Sequence, residues 1–331
     1  MTGKKILIIQ TAFIGDVILA TGMIEKLHAT HPDHSIHFLL RKGNESLLKA
    51  HPFIDELLIF DKSNKYKSLI SLIKTIRKEH YDYVVNAQRF FTTGLISVLS
   101  GGKTTIGFDK NPLSFLFSEK HPHVIGDGHE TDRNQSLIAS ITDDQTARPK
   151  LYPSKEDYDK VEVYAKEKFV CIAPTSVWFT KQYPKEEWIK FINKIPKDYV
   201  VYLLGAPDDY NACEEIRSAT QHPKTTNLAG KLSLLQSAAL MQKAKMNYVN
   251  DSAPMHLCSA VNAPVTAVYC STVPNFGFGP LSDESTIIET SQEMSCRPCG
   301  LHGHRECPQK HFDCAYSIDQ QKMLNLLSSQ I

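Results

Sequence analysis

The chain has 331 residues, enough for two domains, and 42% of its side chains are hydrophobic against 22% charged, which is ordinary globular composition and excludes a disordered chain. Its 37 basic and 36 acidic residues leave a net charge of +1, which gives no electrostatic basis for general nucleic-acid binding. No apolar run approaches the roughly 18 residues that cross a bilayer.

The opening segment KKILIIQTAFIGDVILATG looks like an export signal for a few residues. Gln10 and Asp16 interrupt it, however, and no small-residue cleavage site follows. Ile6 to Ile9 instead predicts a central parallel strand, buried on both faces. A helix is expected from about Asp16 to His28, carrying Val17, Leu19, Ala20, Met23, Ile24 and Leu27. Ser35 to Leu40, Leu57 to Phe60 and Tyr83 to Asn86 read as further strands. Between the last two, Tyr66 to Lys78 is basic and amphipathic, with Leu69, Leu72, Ile73 and Ile76 at helical spacing. Repeated βα units imply a parallel sheet with right-handed crossovers.

Near residue 142 the composition changes. The stretch ITDDQTARPKLYPSKEDYDK is polar, contains two prolines and shows no period; a linker is expected there, over residues 151–168. The strand and helix alternation then restarts. Phe169 to Ala173, Val200 to Leu204, Asn247 to Val249 and Val265 to Tyr269 read as strands, with helices over Pro184 to Ile195, from Tyr210 and from Pro254. The expected plan is an α/β chain with a first domain over 1–150 and a second over 169–315. A closing helix, Tyr316 to Leu327 within 316–331, is expected to pack back on the first domain. Two such sheets facing each other would leave a cleft lined by strand carboxyl ends and helix N-termini, where open α/β sheets bind ligands.

Four loops carry residues able to do chemistry. T-A-F-I-G-D-V follows the first strand, with Gly15 at the turn and Asp16 at or beside the next helix's N-cap. Alone, Asp16 reads as a cap; on the first βα loop it is also placed to take a proton from an attacking hydroxyl. The loop lacks the glycine spacing of dinucleotide enzymes and of P-loops, which disfavours a dehydrogenase or an NTPase. N-D-S-A-P-M-H, Asn250 to His256, sets Ser252 and Pro254 at a helix start whose N–H groups attract phosphate. Asp251 there suits sugar hydroxyls or a neighbouring cation, and His256 reads as a core histidine or a ligand contact. A-P-T-S-V-W-F-T-K supplies Thr175, Ser176 and Lys181, a set able to hold a diphosphate without metal or to form a plain polar loop. G-A-P-D-D places Asp208 and Asp209 where a carboxylate meets ribose or begins a helix.

Cys296, Cys299, Cys307 and Cys314 follow, with His302, His304 and His311 among them. Eight cysteines in the whole chain are too few for a disulfide scaffold, and a cytoplasmic protein is expected. Only the first pair of the cluster has tight ligand spacing. Four thiolates would hold a structural zinc with no open catalytic position; free thiols in an irregular loop, or a disulfide in oxidised protein, are the other readings.

With these loops in place, the sequence resembles the lipopolysaccharide heptosyltransferases of glycosyltransferase family nine, most of all their heptosyltransferase II branch. The likeness runs over nearly the whole chain: K-I-L-I-I-Q-T-A-F-I-G-D-V-I-L-A-T, D-Y-V-V-N-A-Q, H-E-T-D-R-N-Q-S-L, the Thr175–Lys181 loop, N-D-S-A-P-M-H and C-P-Q-K-H-F-D-C. It implies two Rossmann-like doubly wound domains in the GT-B arrangement, with acceptor on the first and donor on the second. It implies inverting transfer of a heptose from ADP-heptose to the inner core of lipopolysaccharide, with no cofactor required. By position Asp16 matches the catalytic base. Thr175, Ser176, Lys181, Asp251, Ser252 and His256 match donor contacts, Asp208 or Asp209 a ribose partner and Leu232 an adenine neighbour. Gln88 and Arg133 match acceptor positions, with Arg41 and Arg89 as further cations. Ala253 stands where the family usually has glycine, and its methyl narrows the approach to phosphate. Such an enzyme would work in the cytoplasm, at the inner face of the inner membrane, with peripheral contact to its surface and none with nucleic acid. The other readings are a relative using another sugar nucleotide or glycan acceptor, a non-catalytic sugar-nucleotide-binding protein, and a zinc-dependent regulator.

Overall fold

In the computed structural model the described residues are 3–63 and 65–328, the side chains of 65, 66 and 328 excepted; residues 1, 2 and 329–331 of the expected terminal segments lie outside them. The chain divides into two units, Met1–Tyr152 and Pro153–Ile331.

The first unit holds strands β1 (Lys5–Ile9), β2 (Ser35–Arg41), β3 (Glu56–Phe60), β4 (Tyr83–Asn86), β5 (Thr104–Phe108) and β6 (Glu119–His121). Its helices are α1 (Ile14–Thr30), α2 (Glu45–Leu48), α3 (Lys65–Lys78), α4 (Phe91–Leu99) and α5 (Glu130–Ser136). All pairings are parallel, in the order β3-β2-β1-β4-β5-β6. Leu7, Ile9, Leu39, Leu58, Phe60 and Val84 form a core with Leu72 and Ile76 of α3. Strand β1 is buried on both faces, as its unbroken apolar run requires.

The second unit repeats the plan. Its strands are β7 (Phe169–Ala173), β8 (Val200–Leu203), β9 (Thr225–Asn227), β10 (Met246–Asn250), β11 (Val265–Tyr269) and β12 (Ser285–Glu289). Its helices are α6 (Lys155–Val161), α7 (Lys185–Lys194), α8 (Tyr210–Ala219), α9 (Leu234–Lys243), α10 (Ala253–Ala260), α11 (Asp313–Tyr316) and α12 (Gln320–Ser328). The sheet order is β12-β11-β10-β7-β8-β9. Counted from each unit's own first strand, both sheets run 3-2-1-4-5-6, the doubly wound order whose direction reverses between strands one and four. Ligands of such sheets bind at the loops beyond that switch point. In the first unit these loops follow β1 and β4; in the second they follow β7 and β10.

Two segments add detail to this plan. The presumed linker contains α6, which Ser154 starts by accepting the Asp157 amide at 3.2 Å while the Asp157 carboxylate accepts the Ser154 amide at 2.9 Å. Tyr158 of α6 donates to Gln242 of α9 at 2.5 Å, so the segment belongs to the second unit. The closing helix is two pieces, α11 and α12, and it too belongs to the second unit. Met323 and Leu327 enter that unit's core, and Gln320 donates to Tyr183 Oη at 3.1 Å and to the Glu187 carbonyl at 2.8 Å. Among the described residues no helix is long and apolar enough to cross a membrane.

Candidate active site

In the first unit, Asp16 lies at the third position of α1 rather than at its cap, which is Phe13. Its carboxylate accepts the Phe13 amide at 3.2 Å, half of a capping box. Burial, followed by the negative charge of Glu130, pushes the Asp16 carboxyl up to about 6, against the pull of two backbone amides and Arg89. The loop before it is held from several strand ends. Gln88, after β4, donates to Gln10, and Gln10 accepts the Ala12 amide at 3.2 Å. Lys62, after β3, donates to the Thr11 carbonyl at 3.1 Å. Arg41, at the end of β2, stacks its guanidinium 5.1 Å from the Phe13 ring centre. Arg41, Gln88 and Arg89 therefore share the carboxyl edge of the first sheet with Asp16, Arg89 exposed and Gln88 buried.

Arg133 has a different place. It is 5% exposed, donates to Glu130 at 2.7 Å and binds the carbonyls of Asp127 and Gly128 at 3.1 and 3.0 Å. It builds the loop before α5, a role that sequence position alone did not reveal. Burial raises Glu130, but hydrogen bonds from His123 and the charge of Arg133 outweigh it and hold the carboxyl below its ordinary range. Glu130 is thus an ionised neighbour that makes Asp16 more basic. It lies inside the H-E-T-D-R-N run, yet nothing in that run marked it as a partner of residue 16.

In the second unit, the loop after β7 and the loop after β10 meet. Lys181 Nζ lies 2.7 Å from Asp251 Oδ2, with side chains only 15% and 9% exposed, and Thr272 Oγ1 donates to the same oxygen at 2.7 Å. Asp251 therefore holds a cation. Asn250 braces the loop by donating to the Pro174 carbonyl at 2.8 Å and accepting the Tyr183 amide at 2.9 Å, which places Thr175 and Ser176 just beyond β7. Ser252 is the N-cap of α10, but its hydroxyl donates back to the Asn250 carbonyl at 3.4 Å, so it does not cap the helix N–H groups. Ala253 is the first helical residue and His256 is buried one turn on. Thr272, beyond β11, carried no sequence signal because its contact crosses between loops distant in the chain.

Neighbouring strand ends add a second cluster. Asp209 accepts the Ala206 amide at 2.8 Å and starts α8, whereas Asp208 is exposed. Gly230, at φ 73°, brings its amide 2.9 Å from the Gly205 carbonyl, and a Cβ there would meet Pro207 Cα at 2.9 Å. Only glycine permits that approach; Leu232, two residues on, is half-buried.

Beyond β12, the four cysteines 296, 299, 307 and 314 line one cavity of about 250 Å³ together with His304, His311, Thr180 and Ser271. All are free thiols. Burial and the charges of the other three cysteines push Cys314 up to about 12. Among the described residues, the one group of three ligating atoms within 4.8 Å of one another is His37, Glu56 and Glu79; the four thiols sit more widely around their cavity.

The family model described as glycosyltransferase family 9 (heptosyltransferase) matches residues 69–311. The chain belongs to this family. The heptosyltransferase is 28% identical to lipopolysaccharide heptosyltransferase 3 of Escherichia coli, over 78% of this chain and 82% of that one. It shares its fold with the structure of E. coli ADP-heptose LPS heptosyltransferase II, at TM-score 0.77, 21% identity and coverage of 98% and 99%. It also shares its fold with the iron-containing heptosyltransferase TibC of E. coli, solved with ADP-D-β-D-heptose, at TM-score 0.56 and 16% identity over 99% of this chain and 77% of that one. The two six-stranded parallel sheets of this glycosyltransferase are thus those of the GT-B heptosyltransferases.

Proposed function

We propose that this family 9 enzyme transfers a heptose from ADP-heptose to the inner core of lipopolysaccharide, with inversion and without a metal at the reacting centre. The observation that carries the reading is the buried Lys181–Asp251 pair beside the uncapped N-terminus of α10. A leaving nucleoside diphosphate gathers negative charge as the sugar departs, and a fixed ammonium with a helix N-terminus stabilises that charge without reorganising. Thr175 and Ser176 add hydroxyl donors, Asp208 accepts from ribose and Leu232 borders the adenine. His256 stands behind the diphosphate, and the Ala253 methyl limits how closely it approaches.

Asp16 is the base. It takes the proton of the incoming acceptor hydroxyl as the anomeric carbon, with oxocarbenium character, loses the diphosphate on the opposite face. Arg41 and Arg89 pair with the phosphates and carboxylates of an anionic acceptor. The names of the compared heptosyltransferases support ADP-heptose and lipopolysaccharide. A cytoplasmic enzyme at the inner face of the inner membrane fits this acceptor, and the exposed rings of Phe13, Phe90, Phe91 and Phe115 support peripheral contact there. The cysteine cluster is proposed as a structural metal site apart from the reaction.

The test offers ADP-heptose, UDP-glucose and GDP-mannose in parallel, with a heptose-deficient core oligosaccharide as acceptor. Mass spectrometry of the product should show one added heptose from ADP-heptose. Preferential transfer from either other donor would replace this reading with that of a relative using another sugar nucleotide.

A further inference from the structure

His37, Glu56 and Glu79 have no part in the transfer chemistry, yet their ligating atoms all lie within 4.8 Å of one another. The fold brings them together. His37, third in β2, is the register partner of Glu56, first in β3, so the two side chains rise from one face of the sheet. Lys5 shares that face, because it stands two residues before Leu7, the partner of His37 on β1. Helix α3 covers the face through Leu72 and Ile76, and Tyr81 joins the same core. Glu79 follows α3 directly. The group stands at the amino-terminal edge of the sheet, whereas Asp16 stands beyond the carboxyl edge. His37 Nδ1 lies 3.5 Å from Glu56 Oε2 and 2.8 Å from Tyr81 Oη. Lys5 Nζ lies 2.9 Å from Glu79 Oε2. The His37 side chain is buried, while those of Glu56 and Glu79 are 46% and 28% exposed, which leaves a way in from solvent. Two carboxylates against one ammonium give the group a negative excess beside that buried imidazole.

We propose that His37, Glu56 and Glu79 bind one divalent transition-metal ion, and that the Lys5 ammonium holds its place when the ion is absent. One imidazole nitrogen with two carboxylates is a donor set for ions such as zinc and manganese. The nitrogen tells against magnesium and calcium, which take oxygen ligands. Ligand atoms on one tetrahedral ion stand about 3.3–3.5 Å apart when the bonds are about 2.0–2.1 Å long. The His37–Glu56 pair already has that spacing, and the 4.8 Å limit leaves Glu79 little to close. Lys5, with its side chain 35% exposed, can turn its ammonium to water as the ion enters. The bound ion ties β2, β3 and the turn after α3 together. It sits at the edge opposite Asp16, so it steadies the first unit and takes no part in transfer. The site stands independently of the donor and acceptor readings above.

The test titrates the full chain, stripped by a chelator and free of nucleotide, with Mn²⁺. Thiols compete poorly for this ion, and its paramagnetic resonance signal is lost on binding. One bound ion per chain is expected. In the unaltered chain, paramagnetic broadening of amide signals should centre on 36–38, 55–57 and 78–81, which locates the ion without any variant. Glu79→Gln keeps the size of the side chain and removes a ligand charge, and Mn²⁺ affinity should fall at least about tenfold. Lys5→Met keeps the aliphatic stem and removes the competing cation, so Mn²⁺ should bind at least about fivefold tighter. Absence of binding, or broadening centred elsewhere, overturns the site. Binding that Glu79→Gln leaves unchanged is an adventitious ion only, held by surface carboxylates, and overturns it as well. Unchanged affinity in Lys5→Met overturns the exchange of ammonium for metal.

Discussion

Asp16 shows what it costs to keep a carboxylate on the first βα turn. In the folded chain its carboxyl is raised to about 6, whereas unfolded it titrates near 3.8. Between those values the folded state holds the extra proton, so stability falls as pH rises from about 4 to 6 and stays lower above. Asp16→Asn keeps an acceptor for the Phe13 amide and removes the buried charge. It should unfold at higher denaturant than the parent at pH 8, by about 1–2 kcal/mol, and converge with it near pH 4; equal stability at pH 8 would show that the carboxylate is not penalised. On the proposed mechanism the same group sets the rate profile. Transfer should fall on the acid side of about pH 6, where the base gains its proton. In Glu130→Gln the limb should move to lower pH, since the lost negative charge no longer raises Asp16. A limb that stays in place in a folded Glu130→Gln chain would leave Glu130 a merely structural role with Arg133.

At the scale of elements, α6 carries the clearest structural prediction. Ser154→Ala removes the acceptor of the Asp157 amide and should cost about 1 kcal/mol by chemical denaturation; no change would show that α6 is held by its packing alone. Three buried, mostly apolar strands were legible in full: β4, β7 and β11 have the bounds their sequences predict. Strands were illegible where they are short or polar. Strand β6 is Glu-Lys-His and β9 is Thr-Thr-Asn, and both lie at sheet edges, where one-sided pairing relaxes the demand for apolar residues. Helix α6 was hidden because its sequence, KEDYDKV, buries only Val161 and depends on its cap. Asp16, Lys181 and Asp251 were legible as residues on strand-end loops. Their partners Glu130 and Thr272 were not, because one reaches its site from the start of α5 and the other from the loop after β11, each far away in the chain. The engagement of Arg133 was hidden for a different reason: its sequence position does not show that Glu130 and the carbonyls of Val124, Asp127 and Gly128 already accept its hydrogen bonds.

Across the whole molecule, one sheet plan is used twice, with the reversal of strand order falling each time between the unit's first and fourth strands. The repetition explains why the candidate residues gather after β1 and β4 in one unit and after β7 and β10 in the other. It also separates the tasks. If the second unit holds the nucleotide, ADP at about one hundred times its Kd should stabilise that unit by about 2.7 kcal/mol. Hydrogen exchange should then slow over 174–181 and 250–256; protection confined to 10–16 would reverse the assignment. The most direct measurement pairs two readouts on Asp16→Asn, ADP affinity by calorimetry and heptose transfer by product analysis. The account predicts an ADP affinity within about twofold of the parent and a transfer rate lower by about 100-fold or more. Transfer at the parent's rate, or ADP binding lost along with it, would contradict the division between a donor cradle in the second unit and a base on the first.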